Sequence, residues 1–306
     1  MEEQIQQTII TGIDPHIGYN YSRGSDFPLM VGESFHNGYI KLNTSDNTSN
    51  GIAVLGGSTS DISYDGSWLR PFRELLSKNG FDVPLFSGAV SGYSSNQEVF
   101  KLIRDILPLS PKIVISFNGV NDLWHIQSTS PTHPMVHSYQ NRLFQHLLPN
   151  KNTEKEQFFD SFKNVSGAVA FNDNYPLSSV NLGTQSKLTP SQNWYKNSQL
   201  MYAICKQFNI QYINILQPVI GAGAYHLNEI EKKFFEQKCR EWVGYEQAIK
   251  DFFYDARSYA TSHEYIHDFV DIFSDCRDMY GDIRHPNKSG NEIIAQAVSS
   301  LIYPHL

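Results

Sequence analysis

The chain has 306 residues and a net charge of -7, and 40% of its residues are hydrophobic. This length allows one large domain or two small ones, and either can bury a substantial core. Because no Lys/Arg cluster stands out, the sequence argues against a nucleic-acid partner, which would need a basic face. No apolar run reaches the length of a membrane span, so no integral membrane segment is predicted.

The three cysteines, Cys205, Cys239 and Cys276, are widely spaced and odd in number, which predicts reduced thiols rather than a disulfide framework or a metal motif. The first four residues are acidic and polar, unlike a signal peptide. A cytoplasmic protein is therefore expected. The alternative is an exported or membrane-associated protein whose signal or anchor is missing from this sequence.

Residues 1–50 are rich in Gly, Asn, Ser and Tyr with little periodicity, which predicts an irregular lead-in to one domain at 51–306. Within that domain, apolar runs predict five strands, at 52–55, 83–86, 112–117, 210–216 and 269–273. Helical patterns separate them, and this alternation predicts a parallel sheet with right-handed crossovers.

The predicted helices carry apolar residues at helical spacing and have recognisable ends. Three of them lie at about 67–79, at 190–208 and at 229–261, the last with a break near Gly244. Another runs from a capping box at Ser95-Asn96-Gln97-Glu98 to Pro108, and the last begins with a second capping box at Ser289-Gly290-Asn291-Glu292. Residues 123–188 interrupt the alternation, so we predict a long insertion over the active face of the sheet.

The insertion contains a loose group of histidines, His125, His133 and His137. They have no carboxylate or cysteine at a matching spacing, so we favour ordinary loop histidines over metal ligands. The sequence therefore predicts neither a metal site nor a cofactor.

Four polar segments follow predicted strands, and ligands bind at the carboxyl ends of parallel strands. They are Gly56-Gly57-Ser58, Ser91-Gly92-Tyr93-Ser94, Gly119-Val120-Asn121-Asp122 and Asp282-Ile283-Arg284-His285. A serine hydroxyl becomes a good nucleophile when a base takes its proton, and imidazole titrates near neutrality. A carboxylate three residues before that imidazole can reach its other nitrogen and fix the tautomer.

In order and character these segments resemble the SGNH (GDSL-type) hydrolase superfamily, over residues 51–122 and 265–303. The resemblance implies a three-layer α/β/α sandwich with a flavodoxin-like parallel sheet in the order 2-1-3-4-5. It also implies site residues: Ser58 as nucleophile, His285 as general base, Asp282 as orienting acid, and an oxyanion hole formed by the Ser58 and Gly92 amides and the Asn121 side chain.

Several assignments have alternatives. Gly88 competes with Gly92 for the oxyanion position, and Asp61, Asp65 and Asp122 are interpreted as turn residues. Many superfamily members have Asp before the serine, where this chain has Gly57, which indicates another subfamily rather than lost activity.

The sequence thus predicts a serine esterase acting on an acyl ester, with a small molecule or glycan as its substrate partner. Because the insertion is polar and aromatic and no long apolar lid is evident, we favour O-acyl, in particular acetyl, groups of a carbohydrate. Two alternatives remain: a sugar O-acyltransferase using the same triad, and a non-catalytic glycan-binding or assembly module.

Overall fold

The computed structural model describes residues 11–14, 17–21, 33–36, 38–43, 49–62, 66–127 and 188–306. The strands described there are β1 (Thr11–Asp14), β2 (Gly18–Tyr21), β3 (Ser34–His36), β4 (Tyr39–Lys41), β5 (Ile52–Gly56), β6 (Leu85–Ser87), β7 (Ile113–Asn118), β8 (Gln211–Leu216) and β9 (Ile266–Asp268). The α-helices are α1 (Leu69–Lys78), α2 (Ser95–Lys101), α3 (Val120–Gln127), α4 (Pro190–Gln207), α5 (Glu229–Glu241), α6 (Tyr245–Ala260) and α7 (Lys288–Ile302).

A mostly parallel sheet forms the centre of the molecule. Its strand order is β3-β4-β6-β5-β7-β8-β9, and the five strands from β6 to β9 pair in parallel. These five correspond to the strands of the predicted 2-1-3-4-5 order, which is confirmed. β5 and β7 are buried along their whole length, as expected for parallel strands covered on both faces.

Helices cover both faces of this sheet. Along β5, Ile52 and Val54 contact the layer that contains α1 and α7, whereas Ala53 and Leu55 contact the layer that contains α2, α4 and α6. Successive residues of a strand point to opposite faces, so this single strand anchors two cores. The predicted three-layer sandwich is therefore confirmed.

The prediction of an irregular lead-in at 1–50 needs correction. The structure contains two antiparallel hairpins there, β1–β2 and β3–β4, and β4 pairs with β6 to extend the central sheet. The first hairpin is fixed to the domain by Asp14, which accepts from Arg104 Nη1 at 2.7 Å, and by Asn20, which accepts from Lys101 Nζ at 2.7 Å. The division into a lead-in and a domain at 51–306 stays a prediction.

The last strand and the start of the last helix differ from their predicted positions. The last strand is β9, whereas the predicted strand at 269–273 forms turns in which Ile272 N–H donates to the Phe269 carbonyl. The last helix is capped by Asn287, whose side chain accepts from Gly290 N–H at 3.1 Å, and not by the predicted box at 289–292. Of the predicted insertion at 123–188, residues 128–187 lie outside the described residues, His133 and His137 among them.

The three cysteines are free thiols, as predicted. Cys205 is buried in the core, and this burial raises the pKa of its thiol to about 12. In the described parts of the chain, no helix combines the length and the apolar character needed to cross a bilayer.

Candidate active site

Ser58 lies in the tight turn that follows β5. Ser60 N–H donates to the Gly57 carbonyl at 3.0 Å, and Asp61 N–H donates to the Ser58 carbonyl at 3.3 Å. Trp68 fixes this turn, because its buried indole N–H donates to Ser60 Oγ at 3.0 Å. Ser58 itself is half-buried, so its hydroxyl lies at the surface of a rigid turn.

The structure brings Ser58 together with His285 and Asp282. Ser58 Oγ lies 2.7 Å from His285 Nε2, and His285 Nδ1 lies 2.7 Å from Asp282 Oδ2. Since a carboxylate only accepts, the imidazole donates from Nδ1 and accepts the serine proton at Nε2. The three predicted triad residues therefore form one unbroken hydrogen-bonded chain.

The other oxygen of Asp282 organises the loop around it. Asp282 Oδ1 accepts from Arg284 N–H at 2.7 Å and from His285 N–H at 2.9 Å. Burial alone would raise the pKa of Asp282, but the hydrogen bond and charge of His285, together with these amides, lower that pKa to about 2. The carboxyl group is therefore an anion throughout the neutral range.

Asn121, the predicted side-chain donor to the oxyanion, is nearly buried in the first turn of α3. Its Nδ2 donates to the carbonyl of Tyr93 at 2.8 Å. Gly92, the residue before Tyr93, has a φ of +83°, a conformation that glycine adopts without strain. Asn121 and Gly92 are thus neighbours at the same edge as Ser58.

The alternative oxyanion residue, Gly88, is placed differently. Its N–H donates to the Val54 carbonyl at 2.8 Å, which continues the pairing of the sheet. An added Cβ there would lie 3.0 Å from Leu55 Cδ2 in the core. Gly88 N–H is thus already used in the sheet, which is an argument against Gly88 as an oxyanion donor.

Close packing explains why residue 57, directly before Ser58, is a glycine. A Cβ at Gly57 would lie 2.4 Å from Asn121 Nδ2 and 3.1 Å from the Tyr93 carbonyl oxygen. Any larger residue, including the aspartate common in the superfamily, would displace the amide of Asn121. The departure from the usual motif therefore accompanies the close approach of Asn121 to the turn that carries Ser58.

Sequence reasoning missed the structural role of Asp61. This fully buried residue was predicted to be a turn residue, yet its Oδ2 accepts from Ser91 N–H at 2.7 Å, and so fixes the segment that contains Gly92. The signal available in the sequence was an acidic residue three positions after Ser58. Asp65 lies outside the described residues.

A second buried carboxylate, Asp122, connects α3 to the start of α2. It accepts from Ser95 N–H at 3.2 Å and from the Ser95 hydroxyl, and burial raises the pKa of its carboxyl to about 7. Asp122 is therefore more than the predicted turn residue, because it fixes the helix that presents Asn121.

The predicted capping box at 95–98 is shifted by one residue. The N-cap is Ser94, and Ser94 N–H donates to Gln97 Oε1 at 3.1 Å. Glu98 instead points into the core, where it accepts from Asn118 Nδ2 at 2.8 Å and from the Ser116 hydroxyl. Burial raises the pKa of Glu98 to about 8.

Among the residues that the structure describes, no group of three or more His, Cys, Asp or Glu side chains is arranged to hold a metal ion.

A parallel α/β sandwich with a Ser–His–Asp chain at the carboxyl edge of its sheet is an arrangement suited to ester hydrolysis. The model of the GDSL-like Lipase/Acylhydrolase family matches residues 52–298, and the chain belongs to this family. The predicted membership is thereby confirmed, and the protein is a hydrolase of ester bonds.

Several solved structures are similar to this chain. An acetyl xylan esterase is 16% identical with a TM-score of 0.49, covering 82% of this chain and 99% of its own. A mutant of an acetyl-xylooligosaccharide esterase from Geobacillus is 11% identical with a TM-score of 0.49, and the match covers 83% of this chain and 94% of the esterase. A GDSL-like lipase from Bacteroides thetaiotaomicron is 15% identical with a TM-score of 0.45, covering 84% and 89%. Among curated proteins none matches the chain.

Replacing Gly57 with alanine tests the packing between Gly57 and Asn121. The added methyl group must push Asn121 Nδ2 away, so we expect kcat to fall by roughly 10²–10³, as when an oxyanion donor is lost, with little change in KM. Ser77→Ala, at an exposed position near the end of α1, is the control and should keep wild-type kcat. The experiment measures ester hydrolysis together with urea unfolding. Wild-type kcat in Gly57→Ala would contradict the expected displacement of Asn121.

The low pKa of Asp282 predicts how stability depends on pH. Since the folded pKa lies below the unfolded value of 3.8, the contribution is complete above about pH 5 and is lost as pH falls towards 2. The side chain is 47% exposed, so solvent screening limits the contribution to about 1 kcal/mol.

Urea unfolding of wild type and Asp282→Asn checks this expectation. The difference in unfolding free energy should be constant at neutral pH and shrink between about pH 4 and pH 2. A difference that stays the same across the whole range would show that the charge of Asp282 does not stabilise the fold.

Proposed function

We propose that this protein is a serine esterase in which Ser58 is the nucleophile, His285 the general base and Asp282 the orienting acid. The observation that supports this most directly is the hydrogen-bonded chain from Ser58 Oγ through His285 to Asp282, with both links at 2.7 Å. Nucleophile and base are thus within proton-transfer distance before substrate binds.

The reaction has two halves. Ser58 Oγ attacks the ester carbonyl carbon while its proton passes to His285 Nε2, and the alcohol then leaves with that proton. In the second half a water molecule gives a proton to His285 Nε2 and attacks the acyl-enzyme, which releases the acid and regenerates Ser58. Asp282 stays ionised and stabilises the imidazolium in both halves, in agreement with its low pKa.

We assign the oxyanion hole to the backbone amides of Ser58 and Gly92 and to the side chain of Asn121. An amide group carries two N–H bonds. In Asn121 one of them holds the side chain to the Tyr93 carbonyl, which preorganises the other for the substrate oxygen. Preorganisation of this kind is effective because the donor need not reorient as charge develops.

For the substrate we propose an O-acyl ester of a carbohydrate, in particular an acetyl ester. The support is compositional: residues 123–188 combine many Ser, Thr, His and Asn side chains with Tyr and Phe. Hydroxyl and amide groups suit the hydroxyls of a sugar, and aromatic rings suit its apolar faces. Hydrolysis of acetylated oligosaccharides, compared with long-chain acyl esters, tests this part of the proposal.

The nucleophile is tested by Ser58→Ala together with a fluorophosphonate probe. We expect the variant to lose p-nitrophenyl acetate hydrolysis, and we expect mass spectrometry to map the probe adduct of wild type to Ser58. Unchanged hydrolysis by Ser58→Ala would overturn the proposal. Product analysis with an added sugar acceptor separates release to water from acyl transfer to a hydroxyl.

The side-chain donor is tested by Asn121→Ala. Loss of one oxyanion donor should lower kcat by roughly 10²–10³, about 3–4 kcal/mol in the barrier, while probe labelling of Ser58 continues at a reduced rate. If the variant unfolds instead, Asn121 is a structural residue and its assignment to the oxyanion hole fails.

A further inference from the structure

A buried carboxylate lies behind the loop that carries the acid and the base. Glu231, in the first turn of α5, is completely buried. Its Oε1 accepts from Tyr225 Oη at 2.8 Å and from the backbone N–H groups of Met279 and Tyr280, both at 3.1 Å. Its Oε2 accepts from Asn228 N–H at 2.9 Å, which closes the capping box of α5.

We define residues 278–287 as the acid–base loop, because it contains both Asp282 and His285. The loop is closed on itself by two backbone bonds: Gly281 N–H donates to the His285 carbonyl at 2.9 Å, and Asn287 N–H donates to the Met279 carbonyl at 2.8 Å. It is therefore a compact unit that moves as a whole if its attachment is loosened.

The N–H groups of Met279 and Tyr280 attach this unit to Glu231, and Met279 N–H also donates to Tyr225 Oη at 3.0 Å. Tyr280 lies two residues before Asp282, so a change in the direction of the chain at Met279 and Tyr280 shifts Asp282 and His285 together. A displacement of about 1 Å at the reacting groups can slow a reaction by a factor of about 10².

We propose that Glu231 is a positioning residue, which holds the acid–base loop at the distance from Ser58 that proton transfer requires. This inference rests on the proposed function, since it presumes that Ser58 and His285 react together. Glu231 itself does not touch the reacting atoms; it acts through the backbone of Met279 and Tyr280.

Two substitutions of Glu231 separate the effect of its side-chain length from the effect of its charge. Glu231→Gln keeps one carbonyl oxygen at the right distance for the Tyr225, Met279 and Tyr280 donors, and it gives up the Asn228 N–H bond. Glu231→Asp keeps the charge, but it is one methylene shorter and cannot reach both the helix cap and the loop. If Glu231 positions the loop, the neutral glutamine is the better replacement.

The experiment measures kcat and KM for p-nitrophenyl acetate and the rate of fluorophosphonate labelling at Ser58. We expect Glu231→Ala and Glu231→Asp to lower kcat and the labelling rate about tenfold to a hundredfold, with KM nearly unchanged. Glu231→Gln should restore most of both rates. Should Glu231→Ala fail to fold, the comparison of Glu231→Asp with Glu231→Gln decides the question alone.

Two controls separate positioning from stability. Glu229→Ala removes an exposed carboxylate from the same helix, one that pairs with Lys232 at 2.7 Å, and it should leave all rates unchanged. Thr189→Ala removes the N-cap of α4, because the Thr189 side chain accepts from Gln192 N–H at 3.2 Å. It should lower the urea midpoint without changing kcat.

Two outcomes would overturn the inference: wild-type kcat in Glu231→Asp, or a kcat in Glu231→Gln as low as that in Glu231→Asp. Failure of the proposed function looks different, because Ser58→Ala would then remain active. If Ser58→Ala is inactive and Glu231→Asp has wild-type kcat, the nucleophile stands and only the positioning role of Glu231 is refuted.

Discussion

The hydrogen bond between Ser58 and His285 joins residues that are 227 positions apart in the chain, and the parallel sheet makes it possible. Parallel strands end at the same edge, so the segments that follow β5 and β9 emerge on one side of the molecule. β7 and β8 lie between those two strands, which places β5 and β9 about 14 Å apart at the usual strand spacing. The chain after β9 must cross that distance to reach Ser58.

This crossing explains why the segment between β9 and α7 is long and why it needs attachment points. A loop of this length has a large conformational entropy, which packing and hydrogen bonds must offset before its side chains hold one geometry. The segment begins with Phe269 and Phe273 in the core and reaches Glu231 through Met279 and Tyr280. Only after these contacts does the loop present Asp282 and His285.

Much of this arrangement could be predicted from the sequence, because it depends on local patterns. β5 and β7 are continuous apolar runs, and each predicted site segment follows a strand, which is enough to indicate the sheet and its active edge. The last strand was misplaced because residues 269–273 are as apolar as a strand. Phe269, Val270 and Phe273 are buried, yet they pack into the core from turns. Apolar character predicts burial and does not by itself distinguish a strand from a buried turn.

The buried carboxylates at this edge could not be predicted, since their partners are backbone amides far away in the chain. Asp61 accepts from an amide 30 residues away, Asp122 from one 27 residues away, and Glu231 from amides 48 and 49 residues away. Bonds of this kind produce no recognisable sequence pattern, because every non-proline residue offers the same N–H donor. Each of these carboxylates, once removed from water, must find donors, and the amides of a neighbouring segment supply them. The requirement to satisfy a buried carboxyl group thus also fixes the relative position of two chain segments, which is what a site built from four separate loops needs.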